Sequence, residues 1–151
     1  MSVNPAKGSF VAAVRAADSA PSTPIIFFDG VCGFCNRSVN WVLRHDRNRT
    51  FLLAPLQGEH ARRLVEPEIR ENVASVVLLV NGASYIRSAA ICRILMLFGG
   101  VWYFWGLLLW LVPLPLRDLG YRIVARYRYL LFGKLEACRI PTPEERDRFL
   151  D

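Results

Sequence analysis

A short apolar run, Ile25-Ile26-Phe27-Phe28, stops at Asp29-Gly30 and gives way within two residues to a helical pattern. This succession constrains the fold more than any other feature of the chain. β-Branched and aromatic residues in so short a run mark a buried strand, and Asp-Gly ends it in a loop. From residue 32 to about 45, Cys35, Val39, Val42 and Leu43 recur at helical spacing. Residues 50–55 (TFLLAP) read as a second strand, and residues 58–71, mixed in charge, as a solvated connecting helix broken or kinked near Pro67. Residues 75–80 (SVVLLV) form the strongest strand signal. Asn81-Gly82 then supplies a tight hairpin turn, so residues 83–86 pair back and helix resumes near Ser88. The order β-α-β-α-β-β-α predicts an α/β fold with a four-stranded mixed sheet and helices on its faces. The two strand–helix–strand crossovers imply parallel pairing, and the hairpin adds an antiparallel edge.

Length and composition fit this plan. A chain of 151 residues favours one domain, and 53% hydrophobic residues against 21% charged exclude intrinsic disorder. The expected division is a flexible leader over residues 1–23, a core over 24–98 and a packed helical extension over 99–151. The apolar stretch 10–14 is too short for a signal-peptide core and is followed by Arg15 and Asp18, so the expected address is cytoplasmic. The net charge of +6 comes almost entirely from arginine, but the arginines form no basic run interleaved with stacking aromatics. Arg117, Arg122, Arg126 and Arg128 read as a solvated helix face, and nucleic acid is not an expected partner.

Residues 94–116 carry no charge and are long enough to span a bilayer. Gly99-Gly100 and Pro113-x-Pro115 interrupt them, and the aromatics sit mid-stretch rather than at two interfaces. They therefore read as two helices, about 88–98 and 101–112, folded as a hairpin against the sheet. Residues 101–111 are apolar nearly all round, which demands cover on several sides. The expected cover is the core or a second copy of the chain. The alternative is peripheral membrane contact beside Arg93, Arg117, Arg122 and Arg126. Residues 117–132 continue as an amphipathic helix with Leu119, Ile123, Tyr127 and Leu130 on the packing face. Thr142-Pro143-Glu144-Glu145 opens a short terminal helix over 143–150.

The sharpest chemical feature is Cys32-Gly33-Phe34-Cys35 at the start of the first helix. Thiols at this spacing lie on nearly one face, close enough to close a disulfide. Cys32 is expected in the first turn, exposed, where free N–H groups and the helix dipole favour a thiolate; Cys35 is expected one turn deeper and sheltered. Asp29 reads in two ways: as a cap accepting from the Cys32 N–H, which would raise the Cys32 pKa, or as the acceptor of the Cys35 proton. Gly30 and Val31 shape the approach. A zinc or iron–sulfur site would need two more ligands, from Cys92, Cys138, His45 and His60, and none of these forms a second close pair. Cys92 fits a helix core, both histidines read as surface residues, and Cys138 stands more open. A haloacid-dehalogenase-type phosphatase is excluded, because Phe27 occupies the position of the nucleophilic aspartate.

The Asp-x-x-Cys-x-x-Cys pattern after residues 25–28 resembles the DCC family of thiol-disulfide oxidoreductases, a thioredoxin-like group. Further similar segments are Ala54-Pro55-Leu56-Gln57, residues 75–80, Arg117-Asp118-Leu119 with Tyr121-Arg122, and Cys138-Arg139-Ile140-Pro141-Thr142-Pro143. The resemblance runs over residues 24–150 and implies a thioredoxin-like sheet with redox chemistry at Cys32 and Cys35. Unlike thioredoxins, the chain has no proline in Val73-Ala74-Ser75, before the third strand. The combined expectation is an oxidoreductase in which Cys32 attacks, Cys35 resolves and Asp29 assists. Its substrate is a protein or small-thiol disulfide, and no organic cofactor is needed because the two sulfurs carry both electrons. The alternative is a metal-binding or membrane-peripheral interaction protein that uses the pair as ligands.

Overall fold

The structure is a computed structural model that describes residues 12–13, 22–72, 76–133 and 140–150, with backbone alone at 12–13, 72 and 129. Its elements run β1 (Ala12–Ala13), β2 (Ile25–Phe28), α1 (Gly33–His45), β3 (Leu52–Pro55), α2 (Glu59–Leu64), α3 (Pro67–Asn72), β4 (Val76–Val80), β5 (Ala83–Ile86), α4 (Arg87–Phe98), α5 (Gly100–Leu111) and α6 (Leu114–Phe132). A 3₁₀ turn follows at Arg146–Arg148. The Val73-Ala74-Ser75 segment and Cys138 lie outside the described residues.

The sheet order is β1-β5-β4-β2-β3. Its central strand β2 is buried throughout, and its side chains alternate between two cores. Ile25 and Phe27 join Val77, Leu79 and the α2–α3 residues Ala61, Val65 and Ile69. Ile26 and Phe28 join Leu53, Leu78 and the α1 residues Cys35, Val39 and Val42 on the other face, with Ala90 and Ile94 of α4. The four strands β5-β4-β2-β3 with helices on both faces make the thioredoxin-like arrangement expected from the sequence.

Two details of the sheet differ from expectation. Only the first crossover is parallel, pairing β2 with β3; β4 runs antiparallel to β2. The break at Pro67 divides the second connection into two short helices, and the chain re-enters the sheet at the end where it left. Pro55, which ends β3, and Val76, which begins β4, both flank Phe28. The sheet also gains a fifth strand from the segment read as a leader. Ala12 and Ala13 pair antiparallel with Ser84 and Ala83, satisfying part of the hydrogen-bonding edge of β5.

The helical third departs further. Gly99 and Gly100, both at positive φ, turn the chain so that α5 folds back on α4. A Cβ on Gly106 would sit 3.0 Å from Cys92 O, Leu95 Cβ and Met96 N, so a side chain there would press the two helices apart by a few tenths of an ångström. The hairpin is therefore present, but α5 rests on α4 rather than on the sheet. Gly106 is its one buried residue, and Val101, Phe104, Trp105, Leu108 and Leu111 are exposed. Helix α6 is turned against expectation: Leu119, Ile123, Tyr127 and Leu130 all face outward. Asp118, Tyr121, Ala125, Arg128 and Phe132, at heptad-like spacing, face inward instead. Polar partners explain the choice. Ser88 Oγ donates to Asp118 Oδ1 and accepts from Arg117 Nε at 3.0 Å, while Arg128 is anchored at the site described below.

At the C-terminal end, the expected capping contact forms, with Thr142 N donating to Glu145 Oε2 at 3.1 Å. The helix stops after a single 3₁₀ turn because Phe149 pairs with Leu53 and Leu150 N donates to Leu53 O at 3.0 Å. Arg148 secures this tail. It is buried against Asp46, the C-cap of α1, and donates to Phe51 O at 3.2 Å. The Asp46 carboxylate also accepts from Thr50 N and Phe51 N at 2.9 and 3.0 Å. Arg148→Met strips a buried carboxylate of its counter-ion and is expected to cost about 3–5 kcal/mol in urea unfolding. The double variant D46N/R148M is expected to lose less. A loss for R148M below about 1 kcal/mol would mean that the pair behaves as a solvated one.

Candidate active site

From the end of β2 the chain turns through Asp29-Gly30-Val31 into α1, and Cys32 is the N-cap, one residue before the first turn. Asp29 does not cap the helix. Its Oδ1 accepts from Val31 N at 3.2 Å and from Gln57 Nε2 at 2.9 Å, while the Cys32 N–H goes to the Asp29 backbone carbonyl at 3.3 Å. Two further side chains fix the loop. Asn36, buried one turn into α1, donates from Nδ2 to Gly30 O at 3.0 Å and to Cys32 O at 2.9 Å. Gln57 Oε1 accepts from Gly30 N at 3.2 Å.

Arg128 reaches this loop from α6. The expectation of a solvated arginine is wrong: it is 3% exposed. Its Nη2 donates to Asp29 Oδ2 at 3.2 Å and its Nη1 lies 3.6 Å from Cys35 Sγ. The carboxylate and the inner thiol thus share one guanidinium. A buried cation next to a thiol favours the thiolate, but burial opposes it. Burial dominates here and, together with the neighbouring Cys32 thiol, pushes Cys35 up to about 12 against the pull of Arg128. Cys35 also forms part of the wall of an apolar cavity of about 210 Å³, with Phe34, Val39, Leu53, Ile94 and Tyr121. The same burial raises the Tyr121 phenol.

The expected asymmetry of exposure is absent. Cys32 is fully buried and Cys35 is 5% exposed. The end of α6 lies against the turn that carries the pair, a long-range contact that no local pattern announces. Gly33 N donates to Gly133 O at 3.2 Å, taking one of the N–H groups that a helix start leaves open. Phe132 packs its ring 5.1 Å from that of Phe34. A Cβ on Gly33 would fall 2.4 Å from Phe132 O, so the glycine between the cysteines is required by this closure.

Cys32, Cys35 and Asp29 are thus brought together, and the thiols of both cysteines are free. The other candidate ligands among the described residues stand apart. Cys92 is buried in α4, where desolvation raises its pKa. His45, at the end of α1, stacks on Trp41 at 4.5 Å, and His60 lies on α2. Among the described residues no three His, Cys, Asp or Glu side chains gather as metal ligands. Sequence reasoning missed Arg128, Asn36 and Gln57 as site residues. Gln57 lay within a segment already singled out; Asn36 and Arg128 had only the weak signal of a polar residue in register with a helix's packing stripe.

Two outcomes follow from this geometry. Gly33→Ala forces the end of α6 away, so a thiol reagent is expected to modify Cys32 and Cys35 faster than in the wild type under native conditions. Unchanged rates would remove the α6 end as the cover. Unfolding also turns Cys35 into an ordinary thiol with a pKa near 9.0, whereas in the fold it keeps its proton up to about 12. Its contribution to stability is intact below about pH 9 and is lost as pH rises toward 12. Reduced wild type should therefore lose stability over that range more steeply than Cys35→Ala in urea titrations; parallel slopes would contradict the shift.

Comparison with known proteins agrees with this picture. Residues 26–134 match the family described as DCC1-like thiol-disulfide oxidoreductase. The chain is 38% identical over 119 residues to the Arabidopsis thaliana protein named DCC family protein At1g52590, chloroplastic, covering 78% of this chain and 69% of that one. It is 31% identical over 128 residues to the Bacillus subtilis (strain 168) protein named Uncharacterized protein YuxK, covering 83% of this chain and 93% of that one. No solved structure shows a significant match. The matched region takes in β2, the Cys-x-x-Cys turn and the whole of α6 that closes over it, and the chain belongs to the DCC1-like thiol-disulfide oxidoreductase family.

Proposed function

We propose that the protein is a dithiol–disulfide oxidoreductase in which Cys32 attacks and Cys35 resolves. The observation that carries this reading is the shared guanidinium: Arg128 holds Asp29 and Cys35 together behind a Cys-x-x-Cys pair at a helix start. The Cys32 thiolate attacks one sulfur of a substrate disulfide, the substrate S–S bond breaks, and one substrate thiolate leaves and takes up a proton. Cys35 then gives up its proton and attacks Cys32 Sγ, releasing the second substrate thiol. Two electrons pass to the substrate and the protein is left as its disulfide. A Cys35 that holds its proton in the resting dithiol suits the resolving role. Arg128 stabilises the thiolate as it forms, and Asp29, on the same guanidinium, is placed to accept the proton.

Substrate reaches the pair when the end of α6 lifts from Gly33. A protein or small-thiol disulfide fits the chemistry, and in a reducing compartment such as the cytoplasm the pair rests as the dithiol. The test uses single-cysteine variants of the full chain. Cys35→Ser is expected to accumulate a mixed disulfide on Cys32, and Cys32→Ser to abolish exchange. Equal trapping by both variants would refute the assigned roles. Stoichiometric zinc or iron, with thiols protected until chelation, would replace the redox reading with a ligand one.

A further inference from the structure

We infer that the outward faces of α5 and α6 form a docking surface for an anionic lipid bilayer, on which the protein lies without crossing. This surface is separate from the dithiol and does not depend on its chemistry. Its apolar side chains are large and uncovered: Phe104, Trp105 and Leu108 on α5 are 46–60% exposed, and Leu119, Ile123 and Leu130 on α6 are 51–81% exposed. Exposed side chains of this size, recurring along two consecutive helices, are not the scattered apolar residue of an ordinary surface. Two of the chain's four tryptophans, Trp105 and Trp110, are exposed on α5. Amphipathic aromatic rings of this kind favour the headgroup level of a membrane.

Charge selects the partner. Between Glu71 and Glu136 the one acidic residue is Asp118, against six arginines and Lys134. That surplus equals the whole net charge of +6, so the rest of the chain is neutral. Asp118 is half-buried and bonded to Ser88, whereas Arg122 and Arg126 are exposed beside Ile123 and Tyr127. Their apolar stems can lie along the membrane while the guanidinium groups meet lipid phosphates. A symmetric dimer through the same face would bring arginines toward arginines, with no exposed carboxylate on either helix to pair with them. Length fixes the orientation. Helix α5 has 12 residues and rises about 18 Å, short of the roughly 30 Å hydrocarbon core, and among the described residues no helix is long and apolar enough to cross a membrane.

The test is co-sedimentation of the full chain with vesicles of phosphatidylcholine alone or with about 30 mol% phosphatidylglycerol, with tryptophan emission followed in parallel. Binding to the anionic vesicles, a blue shift and weakening at high salt are expected. R122A/R126A should lower the partition coefficient roughly 30-fold, at about one kcal/mol per cation. W105E/L108E should abolish binding while keeping the wild-type circular dichroism spectrum, because both side chains already face solvent. No binding to anionic vesicles, equal binding to neutral ones, or binding that W105E/L108E leaves intact would each overturn the proposal. A lipid-free dimer that W105E/L108E dissociates, with no vesicle binding by the wild type, would assign the face to a second copy instead.

Discussion

The ion pair between Asp29 and Arg128 organises the molecule, because neither charge tolerates burial alone. Removing a carboxylate and a guanidinium from water costs several kcal/mol each, which is recovered only when the remaining lone pairs and protons also find partners. The partners of this pair come from three separate segments. Oδ2 takes Arg128 of α6, Oδ1 takes Gln57 from beyond β3 and the Val31 amide of its own loop, and the guanidinium extends to Cys35. One cluster thus joins the end of β2, the start of α2 and the last turns of α6. The spacing of those elements sets how closely α6 can approach the cysteine pair.

That anchoring explains the orientation of α6. Hydrophobicity alone would turn Leu119, Ile123, Tyr127 and Leu130 inward. The inner row instead carries Asp118 against Ser88, Tyr121 against the cavity beside Cys35, and Arg128 against Asp29. A helix has one face to bury, and when polar partners claim it the apolar residues turn outward. Helix α5 has the same surplus for a different reason: α4 covers only the side around Gly106. The closed cysteine pair and the apolar exterior of α6 are consequences of one packing decision.

The dithiol sits in a low-dielectric setting with the Arg128 guanidinium beside Cys35. Burial holds Cys35 in its protonated state and Arg128 supplies the counter-charge that a thiolate would need. Thioredoxin-like reasoning from sequence expects an open first cysteine. Here Gly133 O occupies the N–H of Gly33, so the position at the helix start that an incoming group would use is filled by the chain itself. The two thiols lie together at the helix start and are closed to solvent.

Local sequence was sufficient for the strands β2 to β5, the Asn81-Gly82 hairpin, the helix breaks at Gly99-Gly100 and Pro113, and the closeness of Cys32 and Cys35 at a helix start. Each depends on residues within a turn or two of one another, where propensity and side-chain periodicity act directly. Long-range partners were not legible in the same way. Whether the second crossover returns parallel or antiparallel, which face of α6 is buried, and what lies over the cysteine turn are settled by contacts between residues far apart in the chain, such as Phe28 with Val76, Asp29 with Arg128 and Gly33 with Gly133. An arginine in a helix looks the same in sequence whether water or a carboxylate awaits it. The sequence by itself determined most of the elements and the placing of two cysteines at a helix start; the tertiary structure decided how exposed that pair is, which charge attends it and which apolar face is left outside, because desolvation and ion pairing depend on what the fold brings near.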